Sequence, residues 1–105
     1  SEQDLAQTLR ETEWRALTER TIIEPAALML ELERVREQGY AIVDGELELG
    51  LRSVAAPVRG RDGQVTSAIN VSTSASRDTL ERVFEHHLPQ LLDSTRKVEA
   101  DLRLL

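Results

Sequence analysis

Residues 51–72 read LRSVAAPVRGRDGQVTSAINVS, and this stretch decides the fold. Small apolar, β-branched and hydroxyl side chains over 52–59 and again over 64–72 predict two strands. The four residues between them, GRDG at 60–63, begin and end with glycine, which readily takes the positive φ of a tight hairpin loop. The stretch therefore predicts an antiparallel β-hairpin.

Alternation along the two strands gives this hairpin two chemically different faces. One face is aliphatic and suited to packing on helices, with Val54, Ala56, Val58, Val65, Ile69 and Val71. The other face is small and polar, with Ser53, Ala55, Ala68, Asn70 and Ser72. Small residues beside an amide and two hydroxyls leave space and supply converging hydrogen bonds, as a pocket for a small molecule requires. A face that simply meets water would show the same pattern.

Helical periodicity surrounds the hairpin on both sides. Residues 2–12 predict a short helix, and Pro25 begins a second one that ends at Gly39. A short strand over 40–43 and an acidic connector over 46–50 follow. A last helix, capped by Asp78 or Thr79, is expected to run to residue 105, with a kink or break near 86–88 caused by Pro89. This order predicts an α+β fold in which helices cover one face of an antiparallel sheet.

The last helix carries apolar residues at steps of four and three, close to a heptad repeat. At about 1.5 Å per residue it would be about 39 Å long, so it either packs as an ordinary long helix or meets a partner surface. An exposed apolar stripe predicts self-association into at least a homodimer, and the sheet edges add to this tendency. The stripe comprises Leu91, Val98, Leu102 and Leu105.

Composition excludes several classes of protein. The 105 residues suffice for one domain, and the absence of cysteine excludes disulfides and thiolate metal sites and fits a reducing cytoplasm. The net charge of −6 predicts that this chain does not itself bind DNA, and no apolar run is long enough for a membrane span. Because the sequence begins at Ser1 and not at methionine, we expect it to be a piece of a longer protein.

Residues that could carry chemistry form no catalytic arrangement. There is neither a nucleophile elbow nor a phosphate-binding loop. His86 and His87 are adjacent on a helix and point about 100° apart, which suits them poorly to share a metal ion. Asp44, Glu46 and Glu48 lack the ligand series of a calcium loop. The sequence predicts no enzyme, no metal site and no cofactor.

Several linked motifs carry a family resemblance. They are LTERTIIEPAAL at 17–28, VREQGYA at 35–41, ELELGLRSVAAPVR at 46–59, DG at 62–63, SAINVS at 67–72 and SASR at 74–77. Together they resemble the C-terminal effector-binding domain of the IclR family of bacterial transcription regulators. The GLRS and INVS forms are most similar to the branch that regulates aromatic-acid breakdown through the β-ketoadipate pathway.

The resemblance implies a GAF-like sheet that binds a small organic acid, aromatic or 2-oxo, on its concave side. It implies effector contacts at Asp44, Leu51, Ser53, Asn70 and Ser72. Residues 1–105 would then form one partial effector-binding domain. The winged helix-turn-helix that contacts DNA, and the first half of the effector domain, would lie outside this chain. Dimers or tetramers are typical of the family.

Two departures from the family pattern concern acidic residues. Glu24 precedes the helix-starting proline where the family usually has aspartate, and Asp44 and Glu46 are separated by Gly45 where the family often has consecutive acidic residues. Alternation along the strand places Arg52 and Ser53 on opposite faces of the sheet. Arg52 is therefore expected to pair with the acidic connector, at Glu46 or Glu48.

Two function classes follow from these observations. In the first, the chain is an effector sensor whose bound metabolite modulates operator binding by an absent DNA-binding domain. In the second, it is an assembly module without a ligand of its own. Light scattering discriminates the two, because an assembly module would stay oligomeric and indifferent to every metabolite, whereas a sensor should respond.

Overall fold

Three antiparallel strands form the sheet of the structure, a computed structural model that describes residues 1–105. They are β1 (Ala41–Asp44), β2 (Leu51–Arg59) and β3 (Val65–Ser74), in the spatial order β1-β2-β3. The predicted hairpin is confirmed, because β2 and β3 pair in a register that sets Val54 against Val71. β3 begins one residue later than predicted and continues two residues beyond its predicted end.

Two helices precede the sheet. α1 (Glu2–Glu11) is capped by Ser1, whose hydroxyl accepts the amide hydrogen of Asp4 at 3.1 Å. α2 (Pro25–Gln38) begins with its proline and ends, as predicted, at Gly39, whose φ of 86° is unfavourable for other residues. Neither helix contributes a fully buried residue, so the core lies elsewhere.

The C-terminal helix is divided into three parts, where one element was predicted. α3 (Leu80–Arg82) leads into a π-helical turn (Val83–His87), and α4 (Leu88–Leu102) follows. In the π-helical turn the amide hydrogen of Leu88 reaches back five residues to the carbonyl of Val83. Pro89 has no amide hydrogen and its ring would crowd the carbonyl of Glu85 in a regular helix, so the wider turn relieves this conflict. The predicted irregularity is thus confirmed, although it begins three residues earlier.

The core lies between α4 and one face of the sheet, here called the covered face. Val54, Ala56, Val83, Leu88 and Leu91 are all fully buried there. Leu91 is therefore a core residue, and its assignment to an exposed stripe is wrong. The helix turns its near-heptad seam toward the sheet as far as Thr95, which is also buried. Both ends of the seam are more open: Leu80 and Phe84 at its start are 37% and 42% exposed, and Val98 and Leu105 at its end are 38% and 83% exposed.

Candidate ligand site on the open face of the sheet

The face of the sheet opposite α4, here called the open face, carries three of the predicted contact residues side by side. Ser53 of β2 stands directly opposite Ser72 of β3, and their hydroxyl oxygens are 2.8 Å apart. The Asn70 side-chain amide donates to the Ser72 hydroxyl at 3.4 Å. Leu51 precedes Ser53 by two residues and so shares this face. The structure therefore brings together Leu51, Ser53, Asn70 and Ser72.

Asp44 does not join them. In the pairing of β1 with β2 it stands opposite Arg52, on the covered face. Its Oδ1 accepts from Arg52 Nε at 3.0 Å, and its Oδ2 lies 3.1 Å from Arg20 Nη1. The expectation that Arg52 pairs with Glu46 or Glu48 is wrong, since its carboxylate partner is Asp44. Successive side chains of a strand point to opposite faces of the sheet. A shift of one residue in the register of β1 therefore moves the Asp44 side chain to the other face.

The residue that sequence reasoning missed at this place is Val43. It pairs with Ser53, which pairs with Ser72, so the three side chains form a row across all three strands on the open face. The next row on that face contains Ala41, Ala55 and Asn70. Alternation within β1 could have indicated which face Val43 shares with Ala41. The pairing of Val43 with Ser53 also requires the register between β1 and β2, which the sequence does not display.

The chemistry of the open face is neutral at its centre. The rows hold two hydroxyls and one amide among small aliphatic side chains, and no charged residue. Hydroxyl and amide hydrogens can bind a carboxylate, while Val43 and the alanines suit an apolar body. A cleft of about 300 Å³ opens at one end of this face, where Leu51, Ser74 and the acidic Glu48 are among the residues that line it. No helix of this chain covers the face, so the site is a surface and not a closed cavity.

Groups that could bind a metal ion do not cluster, since no three histidine or acidic side chains converge on one point. His87 is instead hydrogen-bonded through Nε2 to Asp78 Oδ2 at 2.9 Å. Arg82 Nε pairs with the other oxygen of Asp78 at 2.7 Å. These contacts, that of His87 foremost, hold the pKa of Asp78 below its usual range, although partial burial opposes them.

The lowered pKa of Asp78 predicts an acid dependence of stability. Such a carboxylate stabilises the fold above its unfolded pKa of about 3.9, and the contribution is lost as the pH falls through the folded value. Asp78→Asn is therefore expected to lower Tm at neutral pH, and its difference from the wild type should shrink below about pH 4. Thermal melts across this range, with the exposed Asp101→Asn as control, measure the effect. A difference that stayed constant on acidification would contradict the assignment.

The fold defines a small α+β domain whose three-stranded antiparallel sheet is covered by helix on one face and open on the other. Residues 1–100 match the family model described as bacterial transcriptional regulator IclR, C-terminal. The chain belongs to the IclR family of transcription regulators, and its expected membership and fold class are confirmed.

Individual relatives agree with this assignment. The Pca regulon regulatory protein of Pseudomonas putida is 41% identical over 92 residues, which cover 88% of this chain and 32% of that protein. The regulator KdgR of Escherichia coli is 37% identical over 99 residues, covering 94% of this chain and 37% of KdgR. Both relatives are named regulators and not enzymes. This chain thus spans about a third of the length of these two relatives.

Solved structures show the same architecture. The crystal structure of the KdgR C-terminal domain superposes with a TM-score of 0.87 at 36% identity, covering 98% of this chain and 62% of that domain. The inducer-binding domain of PobR from Acinetobacter, solved as a double mutant with 3-hydroxybenzoic acid, superposes with a TM-score of 0.89 and shares the fold at 22% identity. It covers 94% of this chain and 57% of that domain.

Proposed function

We propose that this chain is the effector-sensing and oligomerisation part of an IclR-type regulator. It binds a small organic acid, aromatic or 2-oxo, and thereby modulates operator binding by a DNA-binding domain that lies outside residues 1–105. The net charge of −6 supports placing DNA contact elsewhere, because the phosphate backbone repels an acidic surface. A regulator of transcription would act in the cytoplasm, and none of the helices combines the length and apolarity of a membrane crossing.

The observation that carries the proposal is the pair of neutral rows on the open face. Ser53, Asn70 and Ser72 present donors without an opposing carboxylate, and the adjoining side chains are aliphatic. A mono-acid fits this arrangement, since its charged group finds donors and its body finds apolar contact. The PobR domain, which shares the fold, was solved with an aromatic acid, and this makes 3-hydroxybenzoate a reasonable first probe.

Isothermal titration calorimetry tests the proposal. We would titrate the chain with 3-hydroxybenzoate, benzoate and pyruvate, and repeat each titration with the protein extended to its full natural length. Saturable binding of at least one acid is the expected result. Failure of all three acids to bind either form would overturn the sensing role and leave the assembly module as the surviving alternative.

Self-association is proposed as the second half of the same function. Large apolar side chains stand exposed at the end of α4 and just beyond it: Val98, Leu104 and Leu105 are 38%, 85% and 83% exposed. β3 also forms one edge of the sheet, and its ten residues carry no charge that would discourage pairing. These two features support at least a homodimer, with the C-terminal helix the favoured contact.

Charging the open end of the helix tests this contact. The double substitution Val98→Asp with Leu102→Asp is expected to shift the mass measured by light scattering from oligomer to monomer, because burying two carboxylates in an interface is unfavourable. Glu85→Asp with Asp101→Glu, which keeps the charge, serves as control. A monomeric wild type at tens of micromolar, above a typical micromolar Kd, would contradict the proposal. So would an oligomer that the double substitution leaves unchanged.

A further inference from the structure

Arg52 lies on the covered face, directly behind the candidate site. It stands between Leu51 and Ser53 in β2, and alternation points those two side chains to the open face and Arg52 to the other. Its side chain is only 18% exposed. Arg52 is therefore the residue that joins the two contact positions Leu51 and Ser53 along the backbone of β2.

The Arg52 guanidinium joins two separate parts of the chain. Nε donates to Asp44 Oδ1 at 3.0 Å, at the end of β1. Nη1 donates to the backbone carbonyl of Asp78 at 2.9 Å, immediately before α3. The Asp78 side chain in turn is hydrogen-bonded to His87, at the end of the π-helical turn. One continuous series of polar contacts thus runs from the sheet behind the open face into the π-helical turn.

A third acceptor stands across from Arg52, in addition to the Asp44 carboxylate and the Asp78 carbonyl. In the register of β2 with β3, Arg52 is opposite Thr73, whose buried hydroxyl oxygen has no hydrogen-bond partner. Buried hydroxyls without a partner are rare and unfavourable. Arg52 donates through Nε and Nη1 and keeps Nη2 uncommitted. The strand pair therefore places one further acceptor, so far without a donor, opposite Arg52.

We propose that Arg52 is a positioning residue that transmits effector occupancy from the open face to α3 and the π-helical turn. An acid that contacts Leu51 and Ser53 displaces this part of β2, and the bridge from Arg52 carries the displacement to Asp78. π-Helical turns are frequent at functional sites. This one contains His87, the last residue in the series of hydrogen bonds from Arg52 through Asp78, and it includes or adjoins the buried residues Val83 and Leu88. The inference rests on the proposed function, because it needs an effector on the open face.

The first arm of the test needs no ligand. Amide hydrogen exchange measured by mass spectrometry reports local opening in residues 44–50 and 79–88. Arg52→Met should accelerate exchange in both segments by about tenfold, since two charge-assisted hydrogen bonds are lost. Arg82→Met is the matched control, because Arg82 also pairs with Asp78 but has no hydrogen bond to β1. This variant should accelerate exchange only in residues 79–88. If residues 79–88 exchanged at the same rate in Arg52→Met as in the wild type, the bridging role would be overturned.

The second arm adds the acid that binds best in calorimetry, at saturation. In the wild type, binding should change exchange in 79–88. Arg52→Lys keeps the charge but lacks the planar fork that reaches two acceptors, so it should bind the acid with unchanged affinity and show no response in 79–88. A full response in Arg52→Lys would overturn the inference while the proposed function stands. If no acid binds the wild type, the proposed function fails, and transmission from an effector fails with it.

Discussion

Replacing Asn70 by leucine and Ser72 by valine together is expected to lower the affinity for the bound acid at least about a hundredfold, because each lost hydrogen bond to a carboxylate weakens binding substantially. Both side chains lie on the open face and are exposed, so the fold should persist. Calorimetric titration of wild type and variant with the same acid measures the loss, and circular dichroism verifies the fold.

The matched control for this variant is Ser67→Ala, on the same strand but on the covered side. It removes a hydroxyl from β3 without touching the open face, and binding should be unchanged. Equal affinities for the wild type and the Asn70→Leu, Ser72→Val variant would exclude the open face as the binding site. Loss of affinity in Ser67→Ala would indicate a general effect on the strand and would equally contradict the assignment.

Shortening Leu91 to alanine is expected to lower the free energy of unfolding by about 3 kcal/mol, because it leaves a cavity in the contact between α4 and β2. Leu91 is 3% exposed and packs in the cluster that contains Val54 and Ala56. For a domain of this size such a loss lowers Tm by more than about 10 °C. Urea titration and thermal melts measure the two quantities.

Leu30→Ala is the control, since the same truncation at a side chain that is 68% exposed and lies outside the proposed dimer contact should change stability little. If Leu91→Ala were as stable as Leu30→Ala, the covered face would not be the core. Comparing the two leucines thus separates a side chain in the core from one on the surface. A loss of oligomer with Leu104→Ala but not with Leu91→Ala would further support the end of the chain as the contact.

The family and the hairpin followed from local pattern. Motifs between residues 17 and 77 indicated the IclR family, and residues 1–100 match its C-terminal model. Proline at 25 and glycine at 39 marked the ends of α2 because their backbone preferences act within a single turn. Pro89 indicated an irregular helix for the same reason, but its local preference did not specify a π-helical turn over Val83–His87.

The seam of the last helix shows where local pattern was insufficient. Apolar residues at heptad spacing are equally compatible with a partner helix and with the chain's own sheet. The position of α4 across β2 decided between them, burying Leu88, Leu91 and Thr95 and leaving Val98 partly open. Periodicity specifies which side chains share a face but not what that face meets, since the latter depends on contacts between residues distant in sequence.

Part of the candidate site likewise followed from local pattern, and part depended on contacts between distant residues. The sequence alone determined that Ser53, Asn70 and Ser72 share a face, because side chains alternate with a period of two along each strand of a hairpin. Only the tertiary structure decided that Val43 joins them and Asp44 does not. The connector over 46–50 sets the register of β1 against β2, with the Gly45 amide hydrogen bonded to the Leu51 carbonyl at 2.9 Å. That register arises from loop conformation and cross-strand hydrogen bonds, which leave no periodic trace in the sequence.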